Sequence, residues 1–113
     1  MPQTYKVLGQ TNPSAITNTN LYTVPSGAST IISTISICAT SGTDAYRISV
    51  VPNGESLSTK HYIAYDAGID SQDTIVLTLG LTLSAGDVIS VYAASSNLAF
   101  SAFGTEITWV LKI

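Results

Sequence analysis

Charge is what this sequence has least of: 10% of its 113 residues are Asp, Glu, Lys or Arg, against about 25% in a typical soluble domain. The four cations, Lys6, Arg47, Lys60 and Lys112, are scattered, and the net charge is −3. Neutralising a phosphate backbone needs clustered Lys and Arg, so nucleic acid is excluded as a partner. One cysteine, Cys38, cannot close an internal disulfide. Beside Ile37 it reads as a small buried hydrophobe. One histidine, His61, cannot supply a His-based zinc site, and Cys38 is far from it in sequence. No apolar run approaches the roughly 18 residues of a membrane helix. The stretch Thr30 to Ala39 is interrupted by Ser33, Thr34 and Ser36. The opening residues Met1 to Lys6 lack the basic-then-apolar layout of a secretory signal, so synthesis and folding in a reducing cytoplasm are expected. There is no G-x-S-x-G elbow and no phosphate loop.

Hydroxyls stand where charges are missing. Ser and Thr number 15 each. They keep a sheet surface wet, and β-branched Thr suits a pleated surface. A charge-poor surface also fits a protein partly covered by other subunits.

The dominant pattern is period two. Ile75, Leu77, Leu79, Leu81 and Leu83 alternate with small or polar residues. The turn Ser84 to Asp87 and the run Val88 to Tyr92 follow. Ile107, Trp109, Leu111 and Ile113 alternate against Glu106, Thr108 and Lys112, which places Glu106 outside. Upstream, strands are expected at Thr4–Leu8, Leu21–Val24, Ser29–Thr40, Ala45–Val51 and Lys60–Tyr65. In the third of these, Ile31, Ile35, Ile37 and Ala39 share one face. In the fourth, Tyr46, Ile48 and Val50 face in, and Arg47 and Ser49 face out. Turn signals separate the strands: Pro25-Ser26-Gly27, Ser41 to Asp44, and Pro52-Asn53-Gly54. Gly9 to Asn20 reads as a long loop and Asp66 to Asp73 as an acidic one. Asn97–Phe103 and Thr105–Ile113 are expected as two strands joined near Gly104. Eight or nine short strands without a helical period predict a single all-β domain over residues 1–113. The expected fold is a jelly-roll-like antiparallel β-sandwich of about eight strands, with a closed barrel as runner-up.

No catalytic, cofactor or metal constellation stands out. Most carboxylates sit at expected turns, where they cap backbone. Asp66, Asp70 and Asp73 share one loop, but their spacing matches no calcium loop. Lys60, His61 and Tyr65, with Arg47 nearby, form the one local concentration of positive and aromatic character. They are the candidate interface, with His61 exposed or in contact with a partner. The nine aromatics raise a sugar-stacking platform as an alternative, but Trp109 is in phase with Ile107 and Leu111 and reads as core.

The order of several segments carries a resemblance. Leu21-Tyr22-Thr23-Val24-Pro25-Ser26-Gly27 leads to Ser33-Thr34-Ile35-Ser36-Ile37-Cys38 and Tyr46-Arg47-Ile48. Lys60-His61-Tyr62-Ile63-Ala64-Tyr65-Asp66, Thr78-Leu79-Gly80-Leu81-Thr82-Leu83, Ala85-Gly86-Asp87-Val88 and Phe103-Gly104-Thr105-Glu106 follow. This succession, from about Leu8 to Glu106, resembles small virion structural proteins of tailed bacteriophages. The resemblance implies a jelly roll, a homotrimer, and a non-enzymatic cement or decoration role on the capsid exterior, bound to the major capsid protein. A tail or fibre component is the alternative it leaves; a carbohydrate-binding module, motivated by the aromatics alone, is a more distant reading. No cofactor is expected, since no cofactor-binding motif stands out in the residues. The Gly9–Asn20 loop is the segment expected to order against the shell or a neighbouring subunit.

Overall fold

The computed structural model describes residues 3–108. Two four-stranded antiparallel sheets face each other. The strands are β1 (Gln3–Thr11), β2 (Thr19–Thr23), β3 (Ala28–Ala39), β4 (Asp44–Val51), β5 (Tyr62–Ile69), β6 (Thr74–Leu83), β7 (Val88–Ala93) and β8 (Leu98–Thr108). One sheet has the order β1-β8-β3-β6 and the other β2-β7-β4-β5. Successive strands thus alternate between sheets for much of the chain, which is the double Greek key of a jelly roll. The expected fold class holds.

The core lies between the sheets. Ile32, Ile35, Ile37, Leu98 and Phe100 come from the first; Tyr46, Ile48, Ile89 and Val91 come from the second. Tyr46 meets Phe100 edge to face, with ring centroids 6.4 Å apart and planes at 73°. Each such side chain contributes roughly 1.5–3 kcal/mol by leaving water. The row Ile75, Leu77, Leu79 and Leu81 packs against this core only half-buried, because β6 is a sheet edge. Leu83, at its end, is buried.

A line of bulges crosses the first sheet at one level. Leu8 in β1 and Ser33 in β3 are extra residues against β8, and β6 carries an extra residue against β3 between Leu81 and Thr78. A bulge shifts side-chain parity. In β3 the buried positions are therefore even before Ser33 (Ala28, Thr30, Ile32) and odd after it (Ile35, Ile37, Ala39). Ile31 was expected inside and is instead exposed. Cys38, expected buried, is half-buried on the outward row with Thr74 and Ala99.

β8 runs straight through Gly104, so the two strands expected there are one. A Cβ at Gly104 would lie 2.1 Å from the Ile31 carbonyl oxygen. Glycine thus serves close approach of β3 and β8 rather than a turn. In-out order along β8 also differs from the expectation. Glu106 points in and is buried, while Ile107 shares the outward side with Gln3 and Ser29. Trp109, Leu111, Lys112 and Ile113 lie outside the described residues.

The Gly9–Asn20 loop shortens to 12–18, since β1 and β2 take its ends. It is tied down: Asn12 donates to the carbonyls of Ser96 and Leu98 at 2.9 and 2.6 Å, and Ile16 N–H to that of Ala93 at 2.9 Å. In the turn after β2, Ala28 N–H donates to Pro25 O, so Pro25 takes the first turn position, not the second.

Candidate functional site

The outward sides of the two sheets differ in chemistry. Side chains directly paired across a ladder share a side, so the register gives the outward set of the first sheet. It comprises Gln3, Tyr5, Val7 and Gln10; Ala99, Ser101, Phe103, Thr105 and Ile107; Ser29, Ile31, Thr34, Ser36 and Cys38; and Thr74, Val76, Thr78 and Thr82. Among the described residues, none of these is charged. Tyr5 is 78% exposed, Val76 59%, Val7 49% and Ile31 41%.

The second sheet faces outward with Arg47, Tyr65, Asp66 and Tyr92. Arg47 on β4 pairs with Tyr92 on β7. On its other side β5 carries a bulge: Tyr46 opposes Ala67 and Ile48 opposes Ala64, so both Tyr65 and Asp66 stand opposite Arg47. Asp66 adopts φ 51°, the left-handed conformation that Asp tolerates better than most side chains. The guanidinium carbon of Arg47 sits 4.2 Å from the ring centroids of both Tyr65 and Tyr92. Its Nε donates to Asp66 Oδ1 at 2.6 Å. The bond to Asp66 outweighs the desolvation of Arg47 and raises its pKa. A cation between two rings and tied to a carboxylate is a fixed device, not a free positive charge. Tyr62 meets Tyr65 at 4.9 Å with planes at 81°. A groove of about 580 Å³ opens beside them, lined by Leu57, Ser58, Thr59, Tyr62 and Tyr65.

The four candidate interface residues separate into two groups. Arg47 and Tyr65 are brought together as expected. Lys60 and His61 lie not on a strand but on a 3-10 turn, Thr59–His61. His61 is 6% exposed, contrary to the exposed histidine expected. Its Nδ1 accepts from Ser58 N–H at 3.0 Å, so Nε2 carries the proton and donates to Glu55 Oε1 at 3.0 Å. Lys60 Nζ reaches the same oxygen at 3.3 Å. Both hold the Glu55 carboxyl below its ordinary range, the His61 hydrogen bond most. This ion cluster pins the segment from Pro52 to His61. Ser49 and Ser90 point outward yet are buried, and Glu55 and Leu57 line a second hollow of about 350 Å³ with Val51 and Ser90. Asp66 was expected in an acidic loop with Asp70 and Asp73; it stands on β5 and turns to Arg47. Asp73 accepts instead from Thr74 N–H at 2.8 Å. Among the described residues, no three His, Cys, Asp or Glu side chains converge on a metal position.

A buried polar chain ties the sheets at one end. Tyr22 donates to Glu106 Oε2 at 2.6 Å and lies 2.7 Å from the Thr30 hydroxyl, while Lys6 Nζ meets Glu106 Oε1 at 2.8 Å. Lys6 above all, and then Tyr22, hold the Glu106 carboxyl low against its desolvation. Burial and then Glu106 push the Tyr22 phenol up to about 12. Each partner is satisfied, so this chain fixes packing and offers no unpaired catalytic group.

Sequence reasoning missed Tyr92, Tyr62 and Asp66 as members of the site. Tyr92 meets Arg47 only through β4–β7 pairing, across 45 residues of chain. Comparison with known proteins finds no matching family model, no matching curated protein and no matching solved structure.

Proposed function

We propose that this chain is a non-enzymatic phage structural protein, a capsid cement or decoration protein that associates as a trimer on the outer surface of the shell. The observation that supports it is the uncharged outward side of the β1-β8-β3-β6 sheet. Lasting homo-oligomeric interfaces are depleted of charge and more apolar than ordinary surface. Tyr5, Val7, Ile31 and Val76 would be covered when copies associate. Among the described residues every buried side-chain polar atom has a hydrogen-bond partner, which fits a task of folding and holding rather than turnover. A protein that binds only the assembled shell stabilises it by its own binding free energy. The family resemblance of the sequence supplies the virion setting and the threefold count.

Two measurements test the reading. Native mass measurement should give three copies, and the purified protein should attach to expanded shells that lack it. A strict monomer that fails to attach overturns the proposal. Immunogold label confined to the tail would replace the capsid role with a tail or fibre role.

A further inference from the structure

We infer that the groove beside Tyr62 and Tyr65 is a binding site for a neutral saccharide. Two observations define the chemistry. First, its volume of about 580 Å³ falls within the roughly 300–1,000 Å³ of small-ligand clefts. Its walls alternate apolar and hydroxyl groups: Leu57 and two tyrosine rings, then Ser58 and Thr59. A pyranose has the matching make-up, with C–H patches that stack on rings and hydroxyls that both donate and accept. The rings meet at 81° with centroids 4.9 Å apart, so the two aromatic walls are not coplanar.

Second, the local charges are already paired. Arg47 is bound to Asp66 and Lys60 to Glu55, while neutral His61 donates to Glu55 as well. Among the described residues, the cations nearest the groove each already face a carboxylate. The ring positions are also fixed before binding. Tyr65 lies against Arg47, which in turn lies against Tyr92. Rigid aromatic anchors bind with little ordering cost. An extended peptide adding to the β5 edge is disfavoured, because β5 is bulged twice against β4 and offers no continuous ladder. The aromatic platform is thus assembled by Tyr62 and Tyr65, and it stands on the sheet opposite the uncharged side. The inference does not depend on the virion role, because the isolated full chain carries the whole groove.

The experiment is titration of the full chain with a panel of neutral hexose oligosaccharides, a sialylated oligosaccharide and a proline-rich peptide. Calorimetry and amide chemical shifts are both read. A neutral oligosaccharide should bind at about millimolar or tighter Kd and shift the amides of Ser58, Thr59 and Tyr65. Tyr65→Ala should weaken it roughly tenfold, while Val76→Ser on the opposite sheet should not. Should Tyr65→Ala fail to fold, the location of the amide shifts in the unaltered chain decides. No binding of any neutral sugar at about 10 mM overturns the site. So does binding that shifts amides elsewhere, or that only the sialylated sugar or the peptide shows.

Discussion

The two outward sides of this sandwich solve the same problem by opposite means. Both sheets come from one Ser/Thr-rich, charge-poor sequence. Among the described residues, the first sheet presents a broad side with no charged residue and exposed Tyr5, Val7, Ile31 and Val76. The second gathers Arg47, Asp66 and three tyrosines, and the segment from Pro52 to His61 is folded against it. The difference lies in where irregularity falls. In the first sheet the bulges form one row and leave the side chains on either side of it in register across all four strands. In the second they collect on β5, where they aim two consecutive side chains at one arginine. A regular surface suits association over area; an irregular one suits recognition at a point.

The largest expected effect comes from breaking the first sheet itself. Gly104→Ala places a Cβ 2.1 Å from the Ile31 carbonyl oxygen, and relief requires β3 and β8 to part. A loss of about 3 kcal/mol, or failure to fold, should appear in chemical denaturation. Gly80→Ala, in the same sheet with nothing within 4 Å of the new Cβ, should be close to neutral. Equal effects would show that close approach is not what Gly104 provides.

Next in size is association. Val76→Asp combined with Ile31→Asp puts charge on the uncharged side, and the copies should separate with a roughly hundredfold rise in Kd. Sedimentation reads this, and the monomer's own stability should change by only about 0.5 kcal/mol. Asn20→Asp, on the other sheet, should leave assembly intact. A trimer indifferent to both changes would remove the contrast between the sides.

The polar chain joining the sheets gives a pH-dependent effect. Glu106 is held below the ordinary carboxylate pKa of 4.5, so the unfolded chain binds its proton more readily. Its contribution is full above pH 4.5 and is lost as pH falls through the lower folded value. Tyr22 acts in the other direction. Its folded pKa of about 12 exceeds the ordinary 10.0, so its contribution is full below pH 10 and lost as pH rises toward 12. Glu106→Gln should cost about 1 kcal/mol at neutral pH and flatten the acid limb of the stability profile. An unchanged acid limb would assign that limb to other carboxylates.

The smallest effect is expected at Arg47, whose interactions face solvent. Arg47→Met should lower the melting temperature slightly, and Arg47→Lys should not restore it, since an ammonium cannot lie flat between two rings. Full rescue by Lys would mean that charge alone matters there.

Much of the sheet content was legible because period two and turn chemistry are local. Gly86 illustrates this: it takes φ +84° in the turn Ser84 to Asp87, and Asp87 caps Ser84 and Asn53 N–H groups at 2.9 Å. Gly86→Val would also drive a Cβ into Asn53 at 2.5 Å, so the steric penalty adds to the backbone one. What stayed hidden was set by pairing. Nothing in Ile31-Ile32-Ser33 tells that Ser33 is extra against β8, and so the buried isoleucine was assigned as 31 rather than 32. Gly104 looked like a break because glycine signals turns and close approach alike. Glu106 looked exterior because its partners, Lys6 and Tyr22, arrive from β1 and β2. The site was half legible: Arg47 and Tyr65 meet, but Lys60 and His61 are drawn to Glu55, a partner five and six residues back that strand patterning does not weigh.

The row of bulges has one more outcome, at the rim. β6 is a ten-residue edge strand without charge or proline, the composition that invites end-to-end fibre growth. Its register against β3 shifts by one residue near Leu79 and Gly80, the kind of irregularity that works against pairing with an incoming edge. The same row of irregularities that turns isoleucines inward should therefore disfavour polymerisation through this edge, which light scattering of a concentrated solution would check.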